Sequence, residues 1–311
     1  MAGFVDLQIN GYSGVDFNSE QITAEELHRC CQTLQRDGVA GVLATVITDE
    51  VGSICRKVSR IRNLCEQDPL AAQMIWGFHI EGPFLNPRPG FIGAHPAEHA
   101  RRASRDEMAR ILDAGEGRIK LVTLAPEMDR DQAVVRFLAA EGVVVSAGHT
   151  DASLDELDAA IDAGLSMFTH LGNGCPMQAH RHDNIVQRAL HFADRLTCSF
   201  IADGAHIPFF ALKNYLRVVG IDRAVIVTDA ISAAGCGPGR YQIGDQTVDV
   251  LEDGVPRAKD HSHLIGSGTI MKKMAENLRD SLQLTDMEIH QLTVSNPFKM
   301  LNAGSLEQVS Q

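Results

Sequence analysis

The 311-residue chain is poor in aromatic residues, at 5% with one tryptophan and three tyrosines, and it has no apolar run long enough to span a bilayer. Its opening residues, Met-Ala-Gly-Phe-Val-Asp-Leu-Gln, lack the basic and apolar regions of a signal peptide, so a cytoplasmic protein is expected. Positive charge is also scarce. With 28 Lys+Arg against 40 Asp+Glu the formal charge is -12, which excludes general attraction to nucleic acid or to an anionic membrane. An anionic substrate would have to find a local cation. The seven cysteines are odd in number and form no C-x-x-C pair, so neither a disulfide framework nor a cysteine-rich zinc site is indicated. What is present is 44% hydrophobic and 22% charged content, enough for a large buried core.

Eight short apolar runs recur, at 3–10, 39–47, 75–82, 118–125, 143–150, 167–173, 196–203 and 224–231, with helical stretches between them. Val143-Val-Val145 and Val225-Ile-Val227 are apolar on successive residues, as strands buried on both faces of a parallel sheet are. Thr23 with Glu26, Ser104 with Glu107 and Ser153 with Glu156 fit capping boxes, and Pro208 suits a first helical turn. Eight strand-then-helix units predict a closed (β/α)8 barrel with its reactive groups at the C-terminal strand ends. A doubly wound sheet is the alternative, but no dinucleotide fingerprint or P-loop supports it. The whole of 1–311 is read as one barrel domain, with a β-hairpin insertion near 239–259 and closing helices near 269–301.

Polar residues stand at the ends of otherwise apolar strands: Glu81, His149, His170 and Asp229. On a barrel these ends meet at one mouth. Two imidazoles and one carboxylate are a usual ligand set for a catalytic zinc with a fourth position left to water, and Asp229 beside that water would serve as general base. Each residue also has a plainer reading. A strand-end histidine is usually a hydrogen-bonded structural residue, and a carboxylate opening a loop is usually a cap. Four such residues at the same end of four strands favour one divalent metal ion per chain, with zinc the expected ion.

Seven stretches, in order, carry a more specific signal: Gly3-Phe-Val-Asp-Leu-Gln-Ile-Asn-Gly11, His79-Ile-Glu-Gly-Pro-Phe-Leu85, Leu121-Val-Thr-Leu-Ala-Pro-Glu127, Ala147-Gly-His-Thr150, Thr169-His-Leu171, Ile201-Ala-Asp-Gly-Ala-His206 and Val227-Thr-Asp-Ala230. Together they resemble the N-acetylglucosamine-6-phosphate deacetylase family over nearly the whole chain. The resemblance implies that Glu81, His149 and His170 hold the metal, that Asp229 handles the proton, and that His206 contacts the sugar or its phosphate. It further implies that Arg181 binds the phosphate of an acetamido sugar phosphate, a contact made in that family across a subunit boundary, and hence a homodimer. Many amidohydrolases carry His-x-His on the first strand for a second ion. Here Gln8 and Asn10 stand there, amides that are poor ligands for a transition metal, so a single ion is expected with these two lining the site.

The chain departs from the family pattern in three places. The usual His-Leu-Tyr-Asn-Ala-Met-Pro becomes His170-Leu-Gly-Asn-Gly-Cys-Pro176, which removes an aromatic and leaves Asn173 and Gly174 as candidate substrate contacts. Arg-Glu-Pro-Gly becomes Arg181-His-Asp-Asn184. The small β-sandwich domain typical of the family is expected to be missing. Among weaker features, His95 in the Pro- and Gly-rich loop 86–96 is a candidate substrate contact. Gly266-Ser-Gly-Thr269 is an anion cradle or a plain turn, and Cys175, His180 and His182 stand near the site or in solvent. Two other functions remain open: an amidohydrolase acting on an N-acyl amino acid or cyclic amide, which would not need Arg181, and a non-catalytic sugar-phosphate sensor.

Overall fold

The structure is a computed structural model that describes residues 3–244, 246–258 and 263–307. Eight parallel strands pair in sequence order: β1 (Phe4–Ile9), β2 (Val39–Ile47), β3 (Ile75–Glu81), β4 (Ile119–Leu124), β5 (Val144–Ala147), β6 (Leu165–Phe168), β7 (Thr197–Ile201) and β8 (Ala224–Val227). The seam between β1 and the chain leaving β8 is closed by Asp229 N–H donating to the Gln8 carbonyl at 2.9 Å and Asn10 N–H donating to the Ala230 carbonyl at 2.7 Å. Asp6 reinforces the seam by accepting from the Thr228 N–H at 3.2 Å and the Thr228 hydroxyl at 2.5 Å. The fold is thus the (β/α)8 barrel that the eight apolar runs predict.

Helices alternate with the strands for the reason the pattern gives: each buries one stripe against the sheet. In α1 (Ala24–Arg36) the stripe is Leu27, Cys30, Cys31 and Leu34, and in α2 (Val51–Gln67) it includes Ile54, Val58, Ile61 and Leu64. Capping boxes form at Thr23/Glu26 and Ser153/Glu156. The Ser104/Glu107 box forms only by half: Ser104 accepts from Glu107 N–H, but the Glu107 carboxylate turns to Arg101 at 3.3 Å, a charged donor that outcompetes the cap.

Between β8 and α3 (Met271–Leu282) a three-stranded antiparallel sheet rises over the mouth: β9 (Gly239–Ile243), β10 (Gln246–Val250) and β11 (Pro256–Arg257). Asp245 and Lys259, within the segment read as a hairpin, lie outside the described residues. Ile243, Val248, Val250 and Ile265 form a second apolar cluster beneath it with Ile47 and Ile231. Gln246 clasps the sheet to the loop carrying His95 by donating to the Ala94 carbonyl at 2.7 Å.

The barrel interior under the mouth is unusually polar. His79, Thr123, Thr169 and Ser146 are fully buried and joined hydroxyl to hydroxyl at 2.6–2.7 Å, with His79 Nε2 at 2.7 Å from Thr123 Oγ1. Burial holds the His79 imidazole down at about 4, so it is neutral at physiological pH. Branched apolar side chains usually fill this layer. Here a hydrogen-bonded floor supports the groups above it.

Candidate active site

The register puts Glu81 opposite Thr123, Ala147 opposite Phe168, and Ile201 opposite Val227. The residues just beyond these rows, His149, His170, Asp203 and Asp229, therefore emerge on one rim. His149, His170 and Asp229 have φ of 50°, 32° and 48°, left-handed values that cost a non-glycine residue roughly 1–3 kcal/mol each. Specific hydrogen bonds hold them there. The His170 N–H donates to Ser199 Oγ at 2.8 Å, and Asp229 is fixed by its N–H to Gln8 and by the Ser267 N–H to its carbonyl at 2.8 Å.

Three donor atoms converge. His170 Nε2 lies 2.9 Å and His149 Nε2 3.3 Å from Glu81 Oε1, and the two Nε2 atoms are 3.1 Å apart. His149 Nδ1 lies 2.8 Å from the Phe91 carbonyl, an acceptor only, so Nδ1 carries the proton and Nε2 turns its lone pair inward. Ligands at 2.0–2.2 Å around a tetrahedral ion stand about 3.3 Å from one another, close to the observed separations, and the chemistry of the set suits zinc. His170 Nδ1 is buried without a partner among the described residues. Glu81, His95 and His149 also form a group whose ligand atoms all lie within 4.8 Å of one another, so His95, whose Nε2 is 3.9 Å from Glu81 Oε2, faces the same point from the loop side. Burial raises the Glu81 carboxyl, but the His149 and His170 imidazoles packed against it outweigh this and hold it well below the carboxylate range.

Asp229 stands beside this group. Burial and the negative charge of Glu81 push its carboxyl up to about 6. Its Oδ1 accepts from Asn10 Nδ2 at 2.7 Å and Gln8 Nε2 at 3.3 Å, while Gln8 Nε2 also donates to Glu81 Oε1 at 3.0 Å. Gln8 Nε2 thus bridges the two carboxylates, while Asn10, just beyond β1, gives a second N–H to Asp229 alone, so donors stand between like charges. Their contact is with the carboxylates, neither with each other nor with the barrel floor.

A cavity of about 850 Å³ opens above, lined by Asn10, Glu81, His95, His149, His170, Asn173, Gly174, His206 and Asp229. Gln8 lies beneath them. Arg181 is exposed on the loop beyond Gly174 and does not line this cavity. Asp203, within one of the seven stretches, is the buried partner of His206, a pairing without a sequence signal. Its Oδ2 sits 2.7 Å from His206 Nδ1 and 3.2 Å from Ser267 Oγ, and its Oδ1 accepts two backbone N–H groups. Burial raises the Asp203 carboxyl, yet these bonds, His206 foremost, hold it low. The cavity wall contributed by Gln246, Arg257 and Ile265 had no sequence signal, because nothing local says that a hairpin will fold over the mouth. The Gly266–Thr269 segment is a turn, with Thr269 N–H donating to Ser267 Oγ at 3.0 Å. Burial raises the Cys175 thiol, and His180 Nδ1 accepts the Asp183 N–H at 2.9 Å.

Gly174 has a structural reason. Its φ is +60°, and a Cβ there would come within 2.9 Å of His149 Nδ1. Gly174→Ala is therefore expected to lower the unfolding temperature through a left-handed penalty of about 1–2 kcal/mol and to reduce metal content by displacing the imidazole. Calorimetry with elemental analysis checks both, and an unchanged melting curve with full metal content would contradict the expectation.

A parallel barrel whose mouth gathers two imidazoles, a carboxylate and a second carboxylate just beyond the last strand has the donor set of a metal-assisted hydrolase. No family model matches the chain. It is 31% identical over 309 residues to the N-acetylglucosamine-6-phosphate deacetylase of Bacillus subtilis, spanning 97% of this chain and 75% of that protein. It is also 31% identical over 313 residues to the N-acetylgalactosamine-6-phosphate deacetylase of a Shewanella species, spanning 100% and 76%. Among solved structures, an aspartate-to-alanine mutant of the Mycobacterium smegmatis N-acetyl-D-glucosamine-6-phosphate deacetylase, in complex with N-acetyl-D-glucosamine-6-phosphate, superposes with a TM-score of 0.87 at 30% identity over 97% of this chain and 77% of that one. The Thermotoga maritima enzyme gives 0.85 at 29% identity, over 97% and 79%. The chain belongs to the N-acetylglucosamine-6-phosphate deacetylase family.

Proposed function

We propose that this protein hydrolyses the acetamide of N-acetylglucosamine 6-phosphate, or of a close acetamido sugar phosphate, to acetate and the amino sugar phosphate. The observation that carries this is the convergence of Glu81, His149 and His170 within 3.3 Å beside an Asp229 held by two amide donors, in a chain with these relatives.

Glu81, His149 and His170 would hold one zinc ion per chain, which when bound supplies a Lewis acid for the amide carbonyl and acidifies water. Asp229 accepts the proton of the attacking water as the tetrahedral adduct forms on the acetyl carbon. It then returns that proton to the sugar nitrogen, so that a neutral amine departs rather than an amide anion. Asn10 and Gln8 keep the Asp229 carboxylate aimed at the reacting atoms through both transfers. His206, fixed by Asp203, presents Nε2 to the sugar or its phosphate, and Asn173 and His95 line the pocket around it.

The phosphate falls to Arg181, and the exposed loop supports its contribution to a neighbouring subunit's pocket in a homodimer. Met177, fully exposed on the same loop, and Phe210, also exposed, offer apolar area for such a contact. No described helix is long and apolar enough to cross a membrane, and all seven cysteines are free, which accords with a cytoplasmic enzyme. Arg181→Ala is expected to raise KM for the phosphorylated sugar while leaving metal content and slow turnover of unphosphorylated N-acetylglucosamine little changed. Equal loss on both substrates would remove the phosphate role from Arg181.

A further inference from the structure

The stretch Leu121–Glu127 belongs to the resemblance, yet the mechanism above uses none of it. Glu127 follows β4 in a short 3-10 turn, Pro126–Met128, on the outer side of the segment that carries His149. Its Oε1 accepts from Asn86 Nδ2 at 2.8 Å and from the Asp151 N–H at 2.7 Å, and its Oε2 accepts from the Thr150 hydroxyl. Asn86 in turn donates its own N–H to the His149 carbonyl at 3.1 Å. One carboxylate therefore grips Asn86, which opens the loop 86–96, and the two residues after His149, and through Asn86 it reaches His149 itself.

The consequence for His149 is twofold. Its backbone is pinned at a left-handed φ by bonds that lead back to Glu127. Its ring is aimed by the Phe91 carbonyl, on the loop that Asn86 begins. Asp151 extends the clamp outward, pairing with Arg88 at 2.5 Å and Arg188 at 3.1 Å. Three donors, from an amide, a backbone N–H and a hydroxyl, face Glu127, and an ionised carboxylate, which is acceptor-only, satisfies all of them.

We infer that Glu127 is a positioning residue for the metal centre: it holds His149, and the loop that orients the His149 ring, in the geometry the ion requires. This rests on the reading of Glu81, His149 and His170 as ligands. Glu127 touches neither the metal nor the substrate, so its effect must pass through His149.

The test is zinc affinity, measured by competition with a chelating dye on full-length protein stripped of metal, together with thermal unfolding of the metal-free forms. Partners that orient metal-binding histidines typically contribute about 10- to 100-fold in metal affinity, so a loss in that range is expected for Glu127→Ala. Glu127→Gln is expected to restore most of it, because its carbonyl can take the Asn86 and Asp151 donors while its NH2 donates to Thr150 Oγ1. A merely structural role would lower the unfolding temperature and leave the zinc affinity of the folded protein unchanged, and that result in Glu127→Ala would overturn the inference. Should Glu127→Ala fail to fold, Asn86→Ala and Thr150→Val remove single links of the same clamp. Weaker zinc binding in either supports the inference, and wild-type affinity in both overturns it. Wild-type protein that binds no stoichiometric zinc would instead defeat the ligand assignment itself, and the inference with it.

Discussion

Asp229→Asn is expected to lower kcat/KM for the acetamido sugar phosphate by about 10² to 10⁴, the range that general acid–base catalysis supplies, with metal content unchanged. The substitution is nearly isosteric. The side-chain carbonyl can still accept from Asn10 Nδ2 and Gln8 Nε2, which now hold Oδ1 at 2.7 and 3.3 Å, so the backbone and its left-handed turn have no reason to move. What is lost is the oxygen able to take a proton. Because Asp229 stands outside the Glu81–His149–His170 triangle, the ion should remain. Steady-state kinetics with elemental analysis on the same preparation checks this, and a near-normal rate would remove Asp229 from the role of base.

His170→Ala is expected to have a larger effect, abolishing both tight metal binding and turnover. The imidazole supplies one of three donor atoms and is also the closest partner of Glu81, at 2.9 Å. Without it only Glu81 and His149 of the assigned ligands remain, with His95 Nε2 standing off at 3.9 Å from Glu81 Oε2, so zinc is held poorly, and the buried Glu81 carboxylate loses a contact that keeps it ionised. Breaking a buried charged pair typically costs about 3–5 kcal/mol, so the metal-free variant should also melt earlier. His149→Ala should likewise lose metal and turnover. Retained metal with full turnover in either variant would contradict the ligand assignment.

The fold was legible because the strands announced themselves by consecutive apolar residues, and some of them again by the capped helix that followed. Glu81, His149, His170 and Asp229 were legible for a related reason: a polar residue ending an apolar strand is costly to bury and has few places to go except the mouth. Their partners were harder to see. Asp203 reads locally as an Asx turn, and only the folded chain shows that it faces His206 and Ser267. Gln8 and Asn10 were identified as residues unsuited to a metal, but that they would hold Asp229 depended on the closing seam, which brings positions 221 and 219 residues apart into contact. His95, expected as a substrate contact, lines the cavity, and its loop also sets it beside Glu81 and His149, which the sequence did not suggest. Loop trajectories of that kind are set by long-range bonds such as Gln246 to Ala94, which leave no periodic trace in sequence.

The central claim, a single-metal deacetylase of acetamido sugar phosphates, is tested most directly by acetate release from N-acetylglucosamine 6-phosphate. It should be followed on protein as purified, after chelation, and after titration with zinc, with metal per chain determined in each state. The account predicts release in step with bound metal, negligible after stripping, restored on zinc addition and saturating at one ion per chain, with one amino sugar phosphate formed per acetate. Full activity in stripped protein, or no acetate from protein shown to carry its ion, would contradict it.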